Sequence, residues 1–137
     1  MDTPDEKEAT MLGKQDPVAT VAVKNLAAAK KFYEGTLGLK QIDAEGDEVV
    51  VYESGRSRIN VYRSQFAGTN KATVVTWPVD DVEGEVRELK SKGVSFEHYD
   101  MPQLKLKGDV HVTDGADMKV AWFKDPDGNI FSIVNRN

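Results

Sequence analysis

A strand–helix–strand–strand–strand pattern runs through this 137-residue chain twice. A repeated supersecondary unit limits the fold more than any other feature of the sequence, because neither copy can bury its apolar face alone. Pro17 opens the first copy. Val18, Thr20 and Ala22 alternate with Ala19, Val21 and Val23, which predicts a strand buried on both sides. Asn25 stands where an N-cap belongs, ahead of a helix whose inner face carries Leu26, Ala29, Phe32 and Tyr33. Gly35 and Gly38 break that helix. Strands over 39–44, 48–52 and 58–62 follow, divided by Glu45-Gly46-Asp47 and Glu53-Ser54-Gly55.

The second copy begins with a β-branched run over 72–79. Asp80 or Asp81 caps a helix with Val82, Val86 and Leu89 on one face, and Gly93 sits at its C-terminal cap. A strand over 94–99 comes next, then a long polar segment from about 101 to 118. Strands over 119–124 and 129–135 are joined by Asp125-Pro126-Asp127-Gly128. There Pro126 presets φ, Gly128 admits positive φ, and both aspartates can bind local N–H groups, so the carboxylate pair reads as turn chemistry. Val23-Lys24-Asn25-Leu26 lies over Val79-Asp80-Asp81-Val82 when the copies are aligned. The expected fold class is α+β: two tandem βαβββ modules, about 15–66 and 70–137, forming one domain. They would build a cupped, eight-stranded mixed sheet with a helix from each module on its outer face. Residues 1–14 read as a polar tail, either disordered or an arm reaching a partner subunit.

Composition narrows the function. Apolar residues make up 39% and charged residues 30%, a globular balance. The absence of cysteine excludes thiolate catalysis, Cys-ligated zinc, iron–sulfur clusters and disulfides. A net charge of −5 argues against nucleic acid and anionic membrane as partners. No apolar run approaches the roughly 20 residues a membrane helix needs. The first residues lack an apolar targeting core, so a cytoplasmic location is expected.

Two motifs carry a resemblance. Val23-Lys24-Asn25-Leu26, followed by Lys31-Phe32-Tyr33-Glu34 and Leu37-Gly38-Leu39, resembles the first-module signature of the glyoxalase / bleomycin-resistance / extradiol-dioxygenase (vicinal oxygen chelate) superfamily. Ala121-Trp122-Phe123-Lys124-Asp125-Pro126-Asp127-Gly128-Asn129 resembles its second-module ending. The similarity spans about 17–134. It implies the duplicated fold and leaves the activity open, since the superfamily holds isomerases, epimerases, ring-cleaving dioxygenases, fosfomycin-modifying transferases and proteins that only sequester an antibiotic. Metal-using members hold a divalent ion in the cup on His or Glu from the first and last strands of each module. Counting from the motifs, those positions are Val18, Asn60, Val74 and Ser132. They supply no charged or imidazole donor, so neither a metal nor another cofactor is expected.

Other donors are few. His98 reads as an exposed strand-end residue, and His111 falls in the long polar segment near Asp109 and Asp114. His111 is a weak catalytic candidate, as part of a displaced His–carboxylate metal site or as a lone general base, and Tyr62 is another. Period-two alternation puts Val18 with Thr20, Val74 with Thr76, Arg58 and Asn60 with Tyr62, and Ser132 with Val134. The resemblance assigns those faces, and Trp122, to the cup. The ligand-binding set is therefore Thr20, Arg58, Asn60, Tyr62, Val74, Thr76, Trp122 and Ser132. Core packing competes for Trp122 and a solvated strand edge for Arg58. Trp77 is out of phase and expected to face the helices. The expected function is metal-free binding of an amphipathic or aromatic small molecule, as in the bleomycin-resistance branch. The alternatives are a glyoxalase-, lyase- or isomerase-like enzyme using non-family residues, and a dimeric accessory module with a vestigial site. Uncovered sheet edges point to a homodimer.

Overall fold

The computed structural model describes residues 12–115 and 117–136. The tail expected over 1–14 therefore lies largely outside the described residues, and Leu12–Lys14 form an exposed 3-10 turn. In the first module, β1 (Ala19–Val23) runs parallel to β4 (Ser57–Arg63). Antiparallel β3 (Val49–Ser54) follows, then β2 (Lys40–Glu45) at the outer edge. Helix α1 (Leu26–Lys30) crosses between β1 and β2. Asn25 Oδ1 caps it by accepting the Ala28 N–H at 3.1 Å. The helix widens into a π turn over Lys31–Thr36 and ends at Gly38, whose φ of 72° only glycine adopts without strain.

The second module repeats this order. β5 (Thr73–Val79) is parallel to β10 (Ile130–Asn135), and β9 (Lys119–Lys124) is antiparallel to β10. Helix α2 (Val82–Ser91) is capped by Asp81, which accepts the Gly84 N–H at 3.0 Å. The far edge of β9 is shared by two short strands. β6 (Phe96–Glu97) pairs first, with Glu97 opposite Trp122; β8 (Val110–Val112) pairs next, with His111 opposite Val120. Residues 98–109 are thus an insertion that splits one edge strand. The insertion includes β7 (Lys105–Lys107), which hairpins onto β8.

The α+β class with two βαβββ modules is what the chain adopts. The single eight-stranded sheet is refined to ten strands in two sheets, one of four and one of six. The extra strands come from the polar segment, where β7 is exposed throughout and β8 is too short to show a period. The strand expected over 94–99 shrinks to Phe96–Glu97 because the chain leaves the sheet at His98.

Both helices cover one face of the sheets, and a single core joins the modules there. Tyr33 stacks on Tyr52 of its own module at 5.8 Å and meets Phe131 of the other edge-on at 6.0 Å. Trp77 stacks on Phe123 at 6.3 Å and donates its Nε1–H to Ser54 Oγ across the seam at 3.0 Å. The fully buried rings of Tyr33, Tyr52, Phe123 and Phe131 each contribute about 1.5–3 kcal/mol relative to exposure, and the partly buried Trp77 packs against them.

The seam itself is closed by the Asp125–Asn129 turn. Asp125 is 5% exposed. Its carboxylate accepts Tyr33 Oη–H at 2.7 Å, the Asn129 side-chain amide at 2.8 Å, and the N–H groups of Asp127 and Asn129 at 3.0 and 2.9 Å. Asn129 Nδ2 also reaches the Ala22 carbonyl at 2.7 Å, and Asp127 accepts the Lys24 N–H at 3.1 Å. Gly68, on the linker between modules, lies against the Asp127 carbonyl with φ 75°. The turn chemistry read from the sequence is present, and the same aspartates also lock module two onto module one.

Burial, reinforced by Asp125, pushes the Tyr33 phenol far above its ordinary range; burial and the Glu34 hydrogen bond raise Tyr52. A phenol whose folded pKa is raised stabilises fully below its unfolded value of about 10, and that contribution is lost as pH climbs toward the folded value. In an alkaline titration followed by phenolate absorbance, Tyr33 and Tyr52 are expected to ionise only as the fold is lost. Tyr33→Phe should remove one of those late-ionising phenols; early, unfolding-independent ionisation of both would contradict the packing described. No helix among the described residues is long and apolar enough to cross a membrane.

Candidate ligand-binding site

Alternation along the strands sorts two open faces opposite the helices. In module one, Val21, Val23, Ile59 and Val61 enter the core. Thr20, Asn60 and Tyr62 point the other way, with Thr20 and Asn60 paired in register. With Glu45, Val49 and Val51 they line a shallow concavity of about 280 Å³. Arg58 is exposed and lies instead in a wider groove beside Asp16, Pro17 and Val18.

In module two, Phe123 and Ala121 face the core and Trp122 does not. Trp122 pairs with Ser132, which pairs with Thr76, and the two hydroxyls bond at 2.7 Å. The Trp122 Nε1–H reaches Thr73 Oγ1 at 3.2 Å. Trp77 lies on the opposite, helix-covered side. The structure thus gathers Thr20, Asn60 and Tyr62 on one sheet and Thr76, Trp122 and Ser132 on the other, with the edge strands β1 and β5 next to each other.

Two expected positions move. Val74 was expected on the cup face but packs against the core. An irregularity in the β5–β10 register, where Ile130 pairs with Thr73 and Phe131 with Val75, leaves Val74 outside the alternation and brings Thr73 to the Trp122 side. Thr73 was therefore missed, since strict period two puts it opposite Thr76. His111 was expected in a loop beside Asp109 and Asp114. It is instead the centre of β8, with Val110 and Val112 in the core and its own ring fully buried on the Trp122 face. Its ring centroid is 4.9 Å from that of Trp122, edge-on, and its Nε2 lies 3.0 and 3.1 Å from the backbone N and O of Tyr99.

Asp109 is engaged elsewhere, with Lys90 at 2.6 Å and His98 at 2.8 Å. The Lys90 and then the His98 contact hold its carboxyl below the usual carboxylate range. Asp114 pairs with Lys105 at 3.8 Å. No group of three or more His, Cys, Asp or Glu side chains stands together among the described residues. Val18 is exposed, Val74 is turned to the core, and the Ser132 hydroxyl is bonded to Thr76. At Val18, Asn60, Val74 and Ser132, the positions to which the resemblance assigned a metal, the residues present do not fit a divalent ion.

Tyr99 also stands against Trp122, a neighbour that sequence reasoning did not single out, because the insertion that delivers it has no periodic signature. Its ring meets Trp122 edge-on at 5.2 Å, and burial, then the nearby Glu97 charge, raise its phenol.

Comparison with known proteins places this architecture. The model of the Glyoxalase/Bleomycin resistance protein/Dioxygenase superfamily matches residues 14–133. No curated protein matches the chain in sequence. Among solved structures, lactoylglutathione lyase from Agrobacterium tumefaciens superposes with a TM-score of 0.67 at 16% identity, covering 88% of this chain and 92% of that one. TnmS3, an antibiotic binding protein from Streptomyces sp. CB03234, gives 0.61 at 17%, covering 90% and 98%. The fosfomycin resistance protein FosX from Mesorhizobium loti gives 0.64 at 11%, covering 90% and 93%. At these identities the likeness speaks for the fold alone. With its family model spanning nearly the whole chain and both βαβββ modules in place, the protein belongs to the Glyoxalase/Bleomycin resistance protein/Dioxygenase superfamily.

Proposed function

We propose that this protein is a metal-free binder of a small aromatic or amphipathic molecule, held against the open face of the second module, and that it works as a homodimer. The observation that carries the reading is Trp122. Its indole is half-buried on the face the helices leave uncovered, ringed by the hydroxyls of Thr73, Thr76 and Ser132. A planar ligand stacked there gains apolar burial plus an aromatic contribution of about 0.5–1.5 kcal/mol. An antibiotic binding protein built on the same fold is consistent with a binding use of this face. The lack of converging metal donors at the family positions supports the metal-free part. The dimer is supported by β2, exposed along its whole length at one sheet edge, which leaves backbone groups free to pair.

The test is a screen of aromatic antibiotics and metabolites by tryptophan fluorescence, with Trp122→Phe and Trp77→Phe separating the two indoles. A saturating ligand is expected to quench wild type and Trp77→Phe and to leave Trp122→Phe unchanged. Quenching of Trp77 alone would place the site on the wrong face. Sedimentation should give twice the 15.2 kDa of the chain, and a monomer across micromolar concentrations would remove the dimer.

A further inference from the structure

Among the described residues, two buried polar atoms on the Trp122 face find no hydrogen-bond partner: Tyr99 Oη and His111 Nδ1. Such orphans are rare in folded proteins, because each has lost its water without compensation. Here both belong to rings that flank the same indole, with centroids 5.2 and 4.9 Å from Trp122. The His111 ring has its other nitrogen committed. Nε2 either accepts the Tyr99 N–H or donates to the Tyr99 carbonyl, so Nδ1 is the proton-bearing or the proton-free atom accordingly. A ligand hydroxyl, which both donates and accepts, can serve whichever form of Nδ1 is present and can serve the Tyr99 hydroxyl likewise.

We infer that Tyr99 and His111 form a polar clamp that selects planar aromatic ligands carrying a neutral hydroxyl, an inference that rests on the binding role given to Trp122. The Asp100 carboxylate favours a neutral group over an anion, and the Glu97 charge is balanced by a lysine. Glu97 sits opposite Trp122 in register and pairs with Lys124 at 3.4 Å, while Asp100 lines the adjoining cavity of about 280 Å³ with Tyr99 and Leu104. The clamp is closed by the chain itself: both atoms lack solvent exposure. The 98–109 insertion therefore has to lift for a ligand to enter. Outside the site, its ties to the body include Asp109 with Lys90, so loosening that contact should speed entry.

Naphthol, its methyl ether and naphthoate are the probes, titrated while the indole N–H resonance of Trp122 is followed by NMR. Naphthol is expected to bind wild type at least tenfold tighter than the ether and the anion. Tyr99→Phe should abolish that preference while leaving the melting temperature equal or higher, since the deleted hydroxyl bonds to nothing. His111→Gln, whose amide reaches the place of Nε2 while deleting Nδ1, should also abolish it. Asp109→Ala should raise the association rate and keep the preference. A Tyr99→Phe variant that is clearly less stable would mean the hydroxyl is structural and overturn the clamp. Equal binding of all three probes at Trp122 would overturn it too, while leaving the binding role of Trp122 intact. Failure of all three to bind, or an ordered water bridging the two atoms without any naphthol preference, would also overturn it; the wider ligand screen then decides the role of Trp122 separately.

Discussion

Replacing Asp125 with alanine is expected to destabilise the fold by about 3–5 kcal/mol, measured by urea unfolding. Four donors converge on this one buried carboxylate, and three of the four bonds are 2.9 Å or shorter. Truncation strands the Tyr33 hydroxyl and the Asn129 N–H, removes the partner of the part-buried Asp127 N–H, and leaves the Asn129 amide only the Ala22 carbonyl. Each stranded buried donor costs about 1–3 kcal/mol, with entering water offsetting part of the sum. Tyr33→Phe removes a single partner and should cost about 1 kcal/mol. The double variant should cost less than the two separate losses combined, because the bond is already gone in either parent. A loss under about 1 kcal/mol for Asp125→Ala would mean that the seam does not depend on this carboxylate.

Gly68→Ala is the second large effect. The residue sits at φ 75°, a left-handed conformation that costs a residue with a side chain about 1–2 kcal/mol. A methyl group there would also overlap the Asp127 carbonyl oxygen, a backbone atom that cannot rotate aside. The combined loss should reach about 3 kcal/mol or more. Gly55→Ala is the control: its φ is 58°, but an added methyl would meet nothing within 4 Å. It should therefore show only the conformational cost, and the difference between the variants measures how tightly the linker is pressed onto the turn. Equal losses at both positions would refute that close approach.

What could be read from the sequence followed the reach of each signal. Strand alternation and helix caps act between neighbours, so β1, α1, α2, β9 and β10 were legible, and so was the separation of Trp77 from Trp122 onto opposite faces. The irregularity at Val74 is a property of two paired strands, and nothing within β5 alone announces it. His111 was misplaced for a related reason: three residues of β8 are too few to show a period, and a lysine-rich partner strand looks like a loop. The aspartates at 125 and 127 were legible as turn formers because those bonds are local. Their bonds to Tyr33 and Lys24 span 92 and 103 positions, beyond anything spacing can reveal.

The seam makes the two halves of this duplicated chain unequal. If the repeats are overlaid with Asn25 on Asp81, Leu89 stands where Tyr33 stands, and leucine has no hydroxyl to offer. Conversely, the β3–β4 turn of the first half holds Gly55 and Arg56 where the second half carries its buried carboxylate. A hybrid made of two second halves would own two such carboxylates and no phenol to meet them, and one made of two first halves would own the phenols alone. The copies have become lock and key to each other. Expressed as separate fragments, they should assort first with second, and neither should pair productively with itself.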